Sequence, residues 1–502
     1  MKKRNFMIYL LLIVIICTAS SIKVIADTNT FLGDYAGYSN TTGIYNTFLG
    51  YRAGYKNTEG YRNTFVGYKA GDSNEIGYKN IFLGYAAGYK NTKGYHNTFL
   101  GYAAGYYNTE GYDNIFMGYA AGYKNISGSY NTFMGYSAGY KNETGNWNTF
   151  LGYAAGYENT TGAFNTLLGS YAGNSNTTGY GNAFIGNAAG KLNTTGYYNT
   201  FMGYATGQKN TKGYGNTFLG SYAGYENTEG YQNIFLGYLA GYKNETGSYN
   251  TFIGYSAGNK NENGICNTFI GNAAGYKNKT GGANSFIGNN AGYKNTTGYS
   301  NTFLGADAGY ENTEGYQNTF LGAGAGYKNT NGDRNVFIGY QAGYNETGSN
   351  KLYIANDASN TLIYGDFSTK KIGINTTTPQ GTLDVNGTIY QRGSQLHADY
   401  VFAPGYILES IEEHAKFMWA EKHLTAIPKA EVDKNGYEVI DVGNHRRGIV
   451  EELEKAHIYI EQLNENNKAL NESIETLTNN NKLLEERIAQ LEKLIKVQQD
   501  IQ

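Results

Sequence analysis

Hydrophobic and polar positions along this chain follow a pattern that returns every 17 residues. The frame begins at Asn29 and continues without an insertion to the copy that begins at Asn335, which gives 19 copies. In the copy that spans residues 46–62, numbered here 1 to 17, Phe48 and Leu49 stand at positions 3 and 4. A fixed period of this length predicts a solenoid, in which each copy is one structural unit stacked on the next.

Each repeat is too short, and too rich in Gly, Asn and Thr, to hold a pair of helices. The run from Asn46 to Tyr51 favours a short strand, and the Gly and Asn-Thr-x-Gly positions favour turns. Two short strands and two turns in each copy predict a mostly β fold, a parallel β-roll or β-solenoid of 19 repeats over residues 27–349. With coils about 4.8 Å apart, the stack would be roughly 90 Å long.

Two neighbouring positions in each repeat are apolar, and they must face opposite ways. Side chains alternate along a strand, so Phe48 and Leu49 point to opposite faces of the sheet. One face can fill the interior of the coil, but the other needs a cover, since a long apolar row in water favours aggregation. We therefore expect a homo-oligomer; the alternative is a single-chain rod with an exposed apolar stripe.

Asparagine and tyrosine also recur in register. Asn46 and Asn57 line up from coil to coil, which predicts ladders of amide hydrogen bonds. Tyr51, Tyr55 and Tyr61 begin rows that tolerate other polar residues, so they are candidate exposed aromatic rows for binding sugars or proteins. The alternative is that these tyrosines only pack on one another.

The two ends of the chain differ from the repeats. Lys2, Lys3 and Arg4 precede a short apolar run, which predicts a secretory signal peptide over residues 1–26, cleaved after Ala26. We expect a secreted or cell-surface protein with no transmembrane span in the mature chain; an uncleaved N-terminal anchor is the alternative. The processed chain keeps a single cysteine, Cys266, and so has no internal disulfide.

After the repeats, residues 350–395 carry short β-type runs and predict a β-rich cap or connector. Residues 396–447 predict a small α+β module. Its amphipathic helix is marked by the spacing from Leu408 to Met418, and a short strand is expected over Tyr437 to Val442. His414 and His423 are nine residues apart, which is not a metal-ligand spacing, so no metal site is expected.

Residues 448–502 show a heptad pattern that predicts a parallel coiled coil. Isoleucine at a, leucine at d and asparagine at two a positions favour two strands. The residues expected to mediate this oligomerisation are Leu453, Ile460, Leu463, Asn467, Leu470, Ile474, Leu477, Asn481, Leu484, Ile488 and Leu491.

The net charge and the residue composition limit the functions that we expect of this chain. The net charge is −2, so the chain has no basic footprint for nucleic acid. No carboxylate pair, nucleophile triad or metal cluster interrupts the repeats, and a catalytic site would have to break them somewhere. We therefore expect no enzyme, no catalytic residues, no cofactor and no metal.

The repeats NTFLGY-x-AGY-x-NTTG, from Asn29 to Gly348, resemble the head repeats of trimeric autotransporter adhesins, the YadA-like head in its 17-residue form. The resemblance implies a left-handed parallel β-roll from each chain and three rolls side by side, which would cover the second apolar face. The segment from Lys370 to Ile389 is similar to one that precedes C-terminal domains of tail-fibre-like surface proteins. Ala398 to Phe402 and His423 to Pro428 resemble a C-terminal module of that group; its autocleavage motif is not found here.

Together these features predict an exported, fibrous, non-enzymatic protein that is adhesin-like or surface-structural. Its expected partners are its own copies and surface glycans or proteins of a host or the environment. A virion tail-fibre-like protein is one alternative. Ice binding through the threonine row at position 2 is a less favoured one, because Ile81 and Ile115 interrupt the row begun by Thr47 and Thr64.

Overall fold

A computed structural model describes residues 28–387 and 398–499, apart from residues 433, 435 and 437. The chain divides into two compact units, the first ending at residue 387. The signal peptide predicted over residues 1–26 lies outside the described residues, as do residues 388–395 of the predicted cap.

The first unit is a parallel β-solenoid in which each repeat forms one coil. Every coil contributes a single three-residue strand that pairs in parallel with the strands of the coils on either side. The register is one repeat, so Thr47 lies opposite Thr64 and Phe48 lies opposite Phe65. The 19 strands, β1 to β19, are Thr30–Leu32, Thr47–Leu49, Thr64–Val66, Ile81–Leu83, Thr98–Leu100, Ile115–Met117, Thr132–Met134, Thr149–Leu151, Thr166–Leu168, Ala183–Ile185, Thr200–Met202, Thr217–Leu219, Ile234–Leu236, Thr251–Ile253, Thr268–Ile270, Ser285–Ile287, Thr302–Leu304, Thr319–Leu321 and Val336–Ile338.

The prediction of two strands in each repeat is wrong. After the strand the backbone turns through Gly50 and Gly54, whose φ angles are 128° and 60°, and through the left-handed residues Arg52 and Arg62. These conformations cannot belong to a second extended strand. Hydrogen bonds between coils nevertheless continue around the turns, as from Gly54 N to Ala70 O at 2.9 Å.

Phenylalanine at position 3 fills the interior of the coils. Phe48 is fully buried and its ring stacks on that of Phe65, with the ring centroids 4.8 Å apart. A methyl group on Gly54 would lie 2.6 Å from the Phe48 ring, which explains why this position is glycine. Leu167 is the one non-aromatic residue in the row and is also fully buried. The expectation that one of the two apolar positions fills the interior is confirmed, and that position is phenylalanine.

The buried asparagines satisfy the turns. Asn57 Nδ2 donates to Asn40 Oδ1 at 2.7 Å and to Gly60 O at 3.0 Å, so position 12 forms the predicted amide ladder. The asparagines at position 1 bond mainly to backbone groups. Asn46 Oδ1, for example, accepts a hydrogen bond from Asn63 N at 3.0 Å. Both rows therefore link each coil to the next while satisfying buried polar groups.

An antiparallel hairpin ends the stack. Strand β20 (Lys351–Ala355) continues the parallel pairing from β19 and then pairs antiparallel with β21 (Thr361–Asp366). Strand β21 pairs antiparallel with β22 (Lys371–Ile374), and β22 pairs in parallel with β23 (Leu383–Val385). Lys351 Nζ lies 2.9 Å from Asp366 Oδ2 across the hairpin.

The second unit contains a 3₁₀ helix, Asp399–Phe402, and helix α1, Ile411–Glu421, which is capped by Ser410 and Glu413. Two short strands follow, β24 (Glu431–Val432) and β25 (Glu438–Val439), and then helix α2, Val442–Gln499. The strand expected over residues 437–442 is therefore shorter than predicted, and α2 begins six residues before the predicted coiled-coil boundary.

Candidate binding surfaces

The outward face of the solenoid sheet carries an apolar row. Residues at position 4 point away from the phenylalanine core, and they are half-buried or exposed in the single chain. The exposed fraction reaches 46% at Leu151 and 48% at Leu304. No other segment of the first unit covers this row, which continues along all 19 coils. A contiguous apolar surface of this kind marks an interaction site in a soluble protein.

Tyrosines form the second set of surface rows. Tyr51 and Tyr61 are 40% and 36% exposed, while Tyr55 is half-buried. All three rows stack along the solenoid; the Tyr51 and Tyr68 ring centroids, for example, are 5.2 Å apart. The rows are therefore both packed and solvent-accessible, because stacking covers the ring faces and leaves the ring edges and hydroxyl groups outward. The longest row at position 6 contains Tyr51, Tyr68, Tyr85, Tyr102, Tyr119, Tyr136 and Tyr153.

Charged side chains lie among these tyrosines. The Arg52 guanidinium carbon is 4.1 Å from the centre of the Tyr55 ring, and its Nε is 2.8 Å from Asp72 Oδ2. Lys141 pairs with Glu158 one coil away at 2.6 Å. Burial raises the pKa of Tyr123 to about 12, and neighbouring tyrosines add to the effect. Tyr123 therefore stays neutral at physiological pH and presents its phenol hydroxyl as a hydrogen-bond donor and acceptor.

Helix α2 presents a third surface. The leucine and isoleucine residues predicted to mediate oligomerisation are all at least half exposed, with Leu453 at 57% and Ile474 at 50%. Asn467 and Asn481 are exposed as well. From Ile460 onward every described side chain of α2 is exposed. Most of the stability of a helix in a protein comes from packing of its apolar face, so a partner along the apolar stripe would stabilise this exposed part of α2.

Sequence reasoning missed a polar cluster in the second unit. Glu452 and Lys455 of α2 are buried, and Glu452 Oε1 accepts hydrogen bonds from Thr425 Oγ1 at 2.8 Å and from Ala426 N at 2.6 Å. His414 Nδ1 lies 2.7 Å from Glu409 Oε1. Burial lowers the pKa of Lys455, but the charge of Glu452 and the hydrogen bond to Glu451 more than offset this, so the pKa is raised. The cluster ties α2 to the segments before it.

Two further observations concern the described residues alone. None of their helices is both long and apolar enough to span a bilayer. No group of three or more His, Cys, Asp or Glu side chains among them is arranged to hold a metal ion.

Comparison of the chain with protein-family models, with curated proteins and with solved structures gives no match.

Proposed function

We propose that this chain is an exported, non-enzymatic fibrous protein that acts as an adhesin or surface-structural protein through its repetitive β-solenoid surface. It associates with copies of itself, as a trimer if the resemblance of its repeats to adhesin heads holds. Its ligands are glycans or proteins on the surface of a host or of the environment.

One observation carries the proposal: the same outward tyrosine recurs at the same position over a run of seven consecutive coils. Seven stacked tyrosines at position 6 offer seven near-identical contact points in one line. Weak contacts repeated at fixed spacing give a large avidity on a surface that carries many ligands. A long row of equivalent sites suits attachment better than it suits turnover of a substrate.

Self-association is supported by two uncovered apolar stripes. The position-4 row of the solenoid and the heptad stripe of α2 each expose large aliphatic side chains, such as Leu151 and Leu477. Burying apolar surface stabilises an assembly by about 25 cal/mol for each Å² removed from water. Association through both stripes would hold several tyrosine rows in one particle and raise the avidity further.

Deleting whole repeats tests the distributed binding. Removing residues 63–113 excises three coils, including the position-6 tyrosines Tyr68, Tyr85 and Tyr102. Removing residues 267–317 excises three coils in which position 6 is asparagine or alanine. Coils contact mainly their neighbours, so both variants should remain folded, which circular dichroism checks.

The readout is retention of beads coated with each protein on epithelial cells and on immobilised extracellular matrix. We expect the first deletion to weaken retention by more than tenfold and the second to weaken it by much less. Equal retention for both deletions, or failure of the full chain to bind either surface, would contradict the proposal.

A further inference from the structure

In the sixth to eighth of the 19 coils, the aromatic residue moves from position 16 of the repeat to position 17. In the early coils position 16 is a stacked, half-buried tyrosine, as in the Tyr78–Tyr95 and Tyr95–Tyr112 pairs at 4.9 and 4.8 Å. Position 17 is then charged, as in Lys79 and Asp113. In the next three coils position 16 becomes Ser129, Asn146 and Ala163, and position 17 becomes Tyr130, Trp147 and Phe164. We call these last three residues the aromatic patch.

The aromatic patch is more exposed than the tyrosines it replaces. Tyr130 is 38% exposed, Trp147 53% and Phe164 64%. The Tyr130 and Trp147 rings stack with centroids 4.0 Å apart and planes 8° from parallel. Phe164 stacks on no other ring of the described chain, and position 17 of the following coil is Gly181. The patch therefore ends in an aromatic side chain that no neighbouring ring covers.

The fold does not require aromatic residues at these positions. Tyr130, Trp147 and Phe164 have φ angles of 58° to 59°, in the left-handed region that disfavours bulky side chains. Gly181 and Gly215 occupy the same position in other coils, and Ala283 also adopts this conformation there. Arg62, Lys79 and His96 share this conformation at position 17, so the backbone does not select aromatic residues there. Three large exposed rings in consecutive coils add little to the core and form an apolar surface suited to contact with a ligand.

The chain segments that carry the three rings are polar and uncharged, whereas Asp113 places a carboxylate at position 17 of the coil before Tyr130. The segments 129–132, 146–149 and 163–166 contain no charged residue. Thr149 and Thr166 are exposed two residues after Trp147 and Phe164. Asn146 is also exposed, and its Oδ1 accepts a hydrogen bond from Ser129 N at 2.7 Å, which leaves its amide N–H groups for a ligand. Aromatic rings beside neutral hydroxyl and amide groups match a ligand that has apolar C–H faces and hydroxyl edges.

Building on the surface-binding function proposed above, we propose that the aromatic patch is a binding site for a neutral glycan chain. Tyr130 and Trp147 cover one face of each other, so a pyranose ring places its C–H face against Phe164, which stacks on no ring of the described chain. The electron-rich face of Phe164 attracts the partial positive charge of those C–H groups. The sugar hydroxyls then bond to the side-chain amide of Asn146.

Tryptophan fluorescence tests this site directly. The chain has two tryptophans, Trp147 and Trp419, so the Trp419→Phe variant of the full chain reports on the patch alone. The probes are cellohexaose, maltohexaose and chitohexaose, with a heparin hexasaccharide as the anionic comparison. We expect a saturable change in Trp147 emission with at least one neutral hexasaccharide. Phe164→Ala should weaken this binding by about tenfold, which is the typical size of one lost aromatic contact.

Tyr249→Ala is the matched control. Tyr249 also stands at position 17 after a serine and is 53% exposed, but the next coil has Cys266 there and so continues no aromatic patch. The control should bind like the parent. An unchanged emission with all three neutral probes, a response to heparin alone, or an equal loss in Tyr249→Ala would overturn the proposal.

Bead retention separates this site from the general function. One outcome is that beads coated with the variant in which Tyr130, Trp147 and Phe164 are all alanine are still retained, and that no neutral probe changes the emission of the parent. This outcome would reject glycan binding at the aromatic patch and keep the distributed surface binding. A saturable emission change in a chain that adheres to no surface would support the patch and reject the distributed function. Another outcome is that beads coated with the triple variant are not retained, while none of the neutral probes competes with retention of the parent. This outcome would indicate a protein ligand and reject the glycan.

Discussion

The phenylalanine ladder predicts that one natural interruption weakens the solenoid. Leu167 stands between Phe150 and Phe184, so two ring stacks that the other coils possess are missing there. Replacing Leu167 by phenylalanine should restore both. The position is fully buried, and Gly173 keeps the same left-handed φ, 53°, as the glycines beside the phenylalanines of other coils.

The size of the gain follows from the stacking. Phenylalanine neighbours in this row have centroids 4.7 Å apart, as for Phe133 and Phe150. An aromatic pair contributes about 0.5 to 1.5 kcal/mol beyond the area that it buries. Two pairs therefore give about 1 to 3 kcal/mol, and a modest packing adjustment lowers the expected net gain to about 1 to 2 kcal/mol.

Hydrogen exchange measures this gain locally. Amides of the coils that contain Phe150 and Phe184 should exchange roughly 5 to 30 times more slowly in Leu167→Phe. Phe116→Leu is the reverse control, because it breaks two existing stacks at 4.8 Å and should accelerate exchange in its own coils. Faster exchange in Leu167→Phe would refute the view that ring stacking stabilises neighbouring coils.

Three further predictions concern other contacts. Asn125→Ala removes three buried hydrogen bonds, so we expect the free energy of unfolding to fall by about 3 kcal/mol in urea denaturation; an unchanged midpoint would show that the amide ladder contributes little. Gly105→Ala places a methyl group 2.5 Å from the Phe99 ring at a φ of 61°, and should lower the melting temperature by several degrees; equal melting would show that the coil can expand. The hydrogen bond from Lys351 lowers the pKa of Asp366 to about 2, below its unfolded value of about 3.9, so this stabilisation is complete above about pH 4 and is lost as the pH falls toward 2. Exchange rates of the hairpin amides should rise over that range, and Asp366→Asn should remove the pH dependence.

The repeat predicted the coil but not which apolar residue faces inward. Phe48 and Leu49 are both apolar in nearly every copy, and alternation along a strand says only that they face opposite ways. The deciding contact is the approach of Gly54 to the Phe48 ring, which comes from a turn six residues away. That proximity depends on the path of the backbone, which the period alone does not define.

The number of strands could not be obtained from residue preferences. Arg52 and Arg62 adopt left-handed conformations that are usually taken by glycine, so their residue type offered no sign of a turn. Hydrogen bonds from neighbouring coils hold these residues in place, as from Arg52 N to Asp34 O at 2.9 Å. Tertiary contacts outweighed local preference here.

The polar cluster of the second unit joins residues far apart in the chain. Tyr459 donates to Glu409 O at 2.9 Å across 50 residues, and no periodicity connects these two positions. Its local signs were the spacings of Glu451 and Glu452 from Lys455, four and three residues on one helix. Its other members become neighbours only when α2 packs within its own unit.

The absolute mass of the full chain in solution, from light scattering coupled to size exclusion, tests the central claim most directly. Self-association, as proposed above, covers the position-4 row and the heptad stripe with copies of the same chain. It predicts a particle of several chains, three if the resemblance to adhesin heads holds. A particle of two chains would keep self-association and reject the trimer. A monomer at micromolar concentration, with both apolar stripes in water, would contradict the account.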